Sequence, residues 1–200
     1  VIEAIEEVVD PRAIAGDGLT LAYQPLVTLT SREPVMLEAL VRWHHPRLGN
    51  ISPAEFVPLA ERASVVGDLS RWVLAAAIAQ LGRWRREGLE VDLAVNLSAP
   101  DIADGELPGR VLTLLQQHQV LSSQLLLEVT ESTIMNEPAL AAQVMQRLRS
   151  AGVRFAIDAA RRTALTERLA RAMRDLQATT EVTFETPTVV SRFETTGRVS

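Results

Sequence analysis

Apolar and polar residues alternate from Leu19 to Leu29 (LTLAYQPLVTL), and a second short apolar run follows at Pro34 to Arg42 (PVMLEALVR). A period of two puts one set of side chains on a buried sheet face, so both segments are predicted to be strands. The intervening Thr30-Ser31-Arg32-Glu33 has turn chemistry, which joins them as a hairpin. A loop containing Pro46, Gly49 and Pro53 comes next. Asp68 can then cap a helix that carries Leu69, Trp72, Val73, Ala76 and Trp84 on one side and ends at Gly88.

The chain now alternates. Val91 to Leu97 (VDLAVNL) is a predicted strand, Pro108 to His118 a helix, and Leu125 to Thr130 (LLLEVT) a strand. Asn136 can cap another helix with Pro138 in its first turn, and Leu140, Val144 and Leu148 form its inward stripe before Gly152 stops it. Val153 to Asp158 (VRFAID) is a further strand. Strand, helix and strand repeating at about thirty residues is the signature of right-handed βαβ units around a parallel sheet. A barrel and a doubly wound sheet both satisfy it.

Composition narrows the function classes. In 200 residues, 47% hydrophobic and 22% charged, there is enough apolar surface for one globular domain. A net charge of −5 argues against a nucleic-acid polymer as partner, because phosphate-backbone binding needs clustered Lys and Arg. With no cysteine, thiolate zinc sites and cysteine nucleophiles are excluded. The longest apolar stretch, Trp72 to Leu81, is about half the length needed to cross a bilayer, so no membrane span is expected. The opening VIEAIEEVVD lacks the basic start of a secretory signal, and a cytoplasmic location is the expectation. The first residue is Val1, which suggests a piece cut from a longer protein.

What separates a barrel from an open sheet is the placement of polar residues. Each of the best strands finishes with an oxygen-bearing side chain: Glu38, Asn96, Glu128 and Asp158. In a closed barrel such ends converge on one rim, where barrel enzymes build their sites. Carboxylate and carboxamide oxygens suit hard ions, so the set points to Mg²⁺ or Mn²⁺. Any one of these residues could instead cap the following helix. Glu38 and Asn96, however, are flanked by apolar residues, where a polar group is costly unless paired or metal-bound.

These residues lie in an ordered series of motifs: YQP at Tyr23 to Pro25, EALVRW at Glu38 to Trp43, and His45, Pro46 and Gly49. PAEFVPLAE at Pro53 to Glu61, VNLS at Val95 to Ser98, LEVTES at Leu127 to Ser132 and FAID at Phe155 to Asp158 complete it. The series resembles the EAL-domain family of cyclic di-GMP phosphodiesterases over about residues 18 to 158. The resemblance implies an α/β fold, a TIM-type (β/α) barrel of the EAL kind with its first strand antiparallel. It also implies metal-dependent hydrolysis of cyclic di-GMP to the linear dinucleotide. Carried over by motif, Glu38, Asn96, Glu128 and Asp158 are metal ligands. Gln24, Leu40 and Arg42 bind substrate, Arg42 through a phosphate oxygen, and Glu131 supports a neighbouring loop. The partners expected are cyclic di-GMP and either a second copy of the chain in a homodimer or an upstream sensory or cyclase-like domain. Competing structural readings apply to Arg42, which could pair with a carboxylate, and to Trp43, Trp72 and Trp84, which suit core packing. His44 and His45 read as surface residues.

The resemblance breaks after Asp158. Where the family has a second Asp and a glycine-rich turn (DFGTG), this chain has Ala159-Ala160-Arg161-Arg162-Thr163. The later lysine of a KID-like motif, a further glutamate and a glutamine-bearing segment have no counterpart here. The expected organisation is a helical lead-in at 1–17, a partial EAL-like barrel at 18–158, a basic amphipathic helix at 159–177 and an unmatched tail at 178–200. The barrel is therefore expected to be incomplete and its turnover weak or absent. The alternatives are a non-catalytic module that binds cyclic di-GMP or another protein, and a truncated remnant.

Overall fold

The computed structural model describes residues 18–27 and 34–158, without the side chains of Val27, Pro34, Val35, Glu131, Ser132 and Asp158. The expected lead-in at 1–17, the basic helix at 159–177 and the tail at 178–200 lie outside the described residues.

Strand β1 (Leu19–Val27) pairs antiparallel with β2 (Pro34–His45), and β3 (Gly49–Ile51) folds back on the far end of β2. Helices α1 (Pro53–Arg62) and α2 (Val66–Arg86) lead to β4 (Leu93–Asn96), which lies parallel to β2. Helices α3 (Ala99–Ile102) and α4 (Leu107–Gln117) precede β5 (Leu125–Thr130). Helices α5 (Glu131–Asn136) and α6 (Pro138–Ser150) precede β6 (Arg154–Asp158). The sheet order is β1-β2-β4-β5-β6, with β2, β4, β5 and β6 mutually parallel. This is a mixed α/β architecture with its first strand antiparallel to the second, as the sequence pattern predicts.

Side-chain parity organises the sheet. Odd-numbered residues Leu93, Val95, Leu125, Leu127 and Val129 join the helices' Leu69, Val73, Ile78, Leu81, Val111, Ala141, Val144 and Leu148 in one apolar core. Ile78 and Leu81 have no exposed surface, so the face of α2 toward the sheet is closely packed. The even-numbered positions then occupy the opposite face, because successive side chains alternate across a strand. In β5 the alternation is visible directly: its odd residues are buried, while Leu126 and Glu128 are half-buried and Thr130 is exposed.

Three local expectations shift. Helix α1 falls where the sequence pattern gives a loop containing Pro53. Pro53 in fact occupies the first turn, where its missing N–H costs nothing. Ser52 and Glu55 close a capping box around that turn. Helix α2 starts at Val66, ahead of Asp68, which lies in its first turn and pairs with Arg71. Asn136 ends α5 instead of opening α6, whose N-cap is Glu137.

The two long connections are tied down closely. An added Cβ on Gly82 of α2 would sit 2.6 Å from the carbonyl oxygen of His118 and 2.9 Å from its Cβ, just beyond the end of α4. Asp104, in the α3–α4 turn, accepts from Arg110 (2.6 Å) and from the backbone N–H of Glu106 (2.8 Å). Chiefly through the Arg110 hydrogen bond, its carboxyl is held below the usual carboxylate range.

In an exposed helix Gly→Ala stabilises by about 0.5–1 kcal/mol, but overpacking of this kind costs about 1–3 kcal/mol, so Gly82→Ala should destabilise the chain in urea melts. A stabilised Gly82→Ala variant would contradict the close approach. For Asp104 the lowered carboxyl makes its contribution present above the ordinary value of about 3.9 and lost as pH falls through the lower folded value. The melting-temperature deficit of Asp104→Asn should therefore be full at neutral pH and close in strong acid; a deficit that ignores pH would refute the assignment.

Candidate functional site

Six of the expected site residues, Gln24, Glu38, Leu40, Arg42, Asn96 and Glu128, stand at positions of the sheet face away from the helices. In the β1–β2 register Thr20 pairs with Arg42, Ala22 with Leu40 and Gln24 with Glu38. Across β2–β4 Glu38 pairs with Ala94, and across β4–β5 Asn96 pairs with Glu128. Asp158 stands opposite Thr130 at the end of β6. Gln24, Glu38, Leu40, Arg42, Asn96 and Glu128 all hold even positions in one continuous register, which assigns them to one face; Asp158 holds an even register position, its side chain lying outside the described part. A shift of one residue in any strand would have sent its member to the core.

Glu38 is the most unusual of these residues. Its side chain is 1% exposed, ranking among the largest fully buried ones in the described residues. The Nδ2 of Asn96 donates to its Oε1 at 3.0 Å, a contact between β2 and β4 that joins residues far apart in sequence. This orients the carboxamide with its nitrogen toward Glu38. Asn96 itself is exposed, and Glu128 beside it is half-buried. Glu38 does not end its strand as the sequence pattern suggested. Strand β2 continues to His45, because residues beyond Leu40 keep pairing with β1 and then with β3. Glu38 nevertheless stands near the end of β4, opposite Ala94 and two residues short of Asn96.

The other expected residues are less constrained. Leu40 is half-buried and Arg42 exposed, with its Nη1 donating to the neighbouring Val41 carbonyl at 3.0 Å. Gln24 is half-buried on β1. The side chains of Glu131 and Asp158 lie outside the described part. Trp43 is buried edge-on against Phe56, and Trp84 lies edge-on to Tyr23 at 4.6 Å, which makes both packing residues. Trp72 also packs on the core. His44 meets Asn50 Oδ1 at 2.8 Å, and His45 Nδ1 accepts from the backbone N–H groups of Arg47 and Leu48, so both serve the β2–β3 turn.

The donor chemistry of Glu38, Asn96 and Glu128 is all oxygen, which fits a hard divalent cation and disfavours zinc. Among the described residues no three His, Asp or Glu side chains are gathered closely enough to hold a metal by themselves. The set as described consists of two carboxylates and a carboxamide, and its fit to a cation rests on donor chemistry and shared face.

Behind the rim lies a group that the sequence reading passed over. Asp101, 3% exposed, accepts from Ser98 N–H at 2.7 Å and from Ser98 Oγ at 2.5 Å. Ser70 of α2 donates to Ser98 Oγ at 3.3 Å. Burial pushes the Asp101 carboxyl up, and the hydrogen bonds of Ser98 and Ser70 oppose it. The signal was present as Ser98-Ala99-Pro100-Asp101, a capping-box spacing of Ser followed three residues later by an acid.

Comparison with known proteins now bears on this arrangement. The profile of the EAL domain family matches residues 11–166. The chain is 39% identical over 142 residues to a cyclic di-GMP phosphodiesterase of Pseudomonas aeruginosa, covering 71% of this chain and 24% of that protein. Among solved structures, the PaMucR phosphodiesterase in complex with c-di-GMP superposes with a TM-score of 0.67 at 34% identity, over 78% of this chain and 62% of that one. The Xanthomonas citri FimX EAL domain in complex with c-diGMP gives a TM-score of 0.68 at 28% identity, over 76% and 60%. The chain thus spans about a quarter of the curated relative's length. No helix among the described residues is long and apolar enough to cross a membrane. With the profile match spanning most of the chain, the fold shared with solved EAL structures and the motif residues on one sheet face, the chain belongs to the EAL domain family.

Proposed function

We propose that the face carrying Glu38, Asn96, Glu128 and Asp158 is the cation and substrate site of an EAL-type cyclic di-GMP phosphodiesterase domain, with turnover impaired in this chain. The observation that carries the reading is the Asn96–Glu38 hydrogen bond at 3.0 Å, which fixes a fully buried carboxylate at the level where β4 ends. Burying a carboxylate is expensive, and a site that binds a cation is one of the few settings that compensates it. The substrate class comes from relatives whose structures hold c-di-GMP.

In this reading Glu38, Asn96, Glu128 and Asp158 supply oxygen ligands to Mg²⁺ or Mn²⁺. When bound, such ions activate water and offset charge on the phosphoryl oxygens. Arg42, exposed on the same face, donates to a phosphate oxygen, where a charge-assisted hydrogen bond is about twice as strong as a neutral one. Gln24 lies along the substrate beside Glu38, and Leu40 forms an apolar floor beneath it. Glu131, at the start of α5, supports the neighbouring loop.

The sequence after Asp158 departs from the family pattern. Ala159 stands where the family pattern has a second Asp, and alanine has no ligand atom. The glycine-rich turn is replaced by Ala160-Arg161-Arg162-Thr163. Groups of a metal site act as a unit, so one missing ligand depresses turnover out of proportion to its share of binding. A domain that binds cyclic di-GMP without cleaving it is the second reading, favoured by the retained Gln24, Leu40 and Arg42.

Calorimetry with cyclic di-GMP and Mg²⁺, paired with chromatographic assay of the linear dinucleotide, separates these readings. Binding with little turnover is expected. Glu38→Gln should remove whatever hydrolysis exists by roughly 100-fold or more, as for loss of a single charge-stabilising donor. Binding that is absent in the wild-type chain, or hydrolysis that survives Glu38→Gln, would overturn the proposal.

A further inference from the structure

Asn96, read as a cation ligand, is exposed and ends a strand of four residues, Leu93–Asn96, so its placement against Glu38 depends on how the flanking backbone is held. On one side the sheet holds it: Leu97 N–H donates to the Glu128 carbonyl at 2.8 Å and continues the β4–β5 ladder past Asn96. On the other side the chain turns sharply into α3, and the turn is closed on Asp101. That carboxylate takes both the N–H and the hydroxyl of Ser98, and Ser70 of α2 reaches the same hydroxyl. Ser70 and Asp101 are 9% and 3% exposed. A polar chain therefore runs from Ser70 near the start of α2 through buried Asp101 to Ser98, two places beyond Asn96.

We propose that Asp101, acting through Ser98 and Ser70, is a positioning residue that fixes the Asn96 carboxamide against Glu38. The proposal rests on the reading of Glu38 and Asn96 as cation ligands, and adds residues that touch neither the ion nor the substrate. A capping box alone would stabilise a helix of ordinary length, but α3 spans only Ala99–Ile102 and has little helix to stabilise. The link to α2 makes the contact tertiary: it anchors the rim to a 21-residue helix whose core-facing side chains are buried. Loss of the anchor lets the turn relax. Displacement of a ligand by about 1 Å is enough to cost roughly 100-fold in a positioned site.

The test uses the ¹⁵N-labelled 200-residue chain and three variants, Asp101→Ala, Asp101→Asn and Ser70→Ala. Hydrogen exchange is followed at the Leu97 amide and the Asn96 side-chain amide, with the Ile78 amide in the middle of α2 as reference. In Asp101→Ala, exchange at Leu97 and Asn96 should accelerate by roughly tenfold relative to Ile78, as in a local opening, and Mn²⁺ should bind on the order of tenfold more weakly. Asp101→Asn retains an acceptor for Ser98 N–H and should restore most of both. Ser70→Ala should fall between. Unchanged exchange at Leu97 and Asn96 in Asp101→Ala, or acceleration that reaches Ile78 equally, overturns the proposal. If the wild-type chain binds no Mn²⁺, the cation reading fails by itself, and the exchange pattern still decides whether Asp101 positions Asn96.

Discussion

The structure depends on how a single carboxylate is tolerated inside a parallel sheet. Glu38 is buried as completely as the aliphatic residues around it, and the Asn96 carboxamide supplies one of its hydrogen bonds across the β2–β4 pair. Leaving such a group unpaired would cost several kcal/mol, more than a typical surface contact returns. The register that brings Asn96 to Glu38 is therefore strongly specified, and that register also aligns Gln24 on one side and Glu128 on the other.

From this constraint follows a division of labour between the sheet faces. Odd positions of β4 and β5 meet α2, α4 and α6 in a dry core, and even positions gather the oxygen-bearing side chains. The two faces are linked mechanically, because packing that locks the odd residues also fixes where the even ones stand. Asp101 and Ser70 extend the same logic beyond the strands, using buried polar contacts where the chain leaves the sheet.

Much of this was legible in the sequence. The alternation in LTLAYQPLV, the apolar run opening LLLEVT, the antiparallel pairing of β1 with β2, and the acid or amide in each strand each carry a local physical signal. The motif order from Tyr23 to Asp158 then identified the family. Less legible were features decided by tertiary contact. Helix α1 was hidden by Pro53, whose meaning depends on where a helix begins. The continuation of β2 past Glu38 is set by pairing with β1 and β3, which a one-dimensional pattern does not reveal. The capping-box spacing of Ser98 and Asp101 stands in the sequence, but the burial of Asp101 and its link to Ser70 are tertiary properties that spacing does not carry.

The most direct test of the central claim, that the oxygen-bearing strand residues converge on one cation, is a crystal structure of the chain grown with Mn²⁺ and phased on its anomalous signal. The account predicts a peak within about 2.0–2.3 Å of oxygens from Glu38 and Asn96, the distance range of small hard cations. Glu128 should border the same peak. Well-ordered crystals with no anomalous density on that face, or density held by other residues, would contradict it.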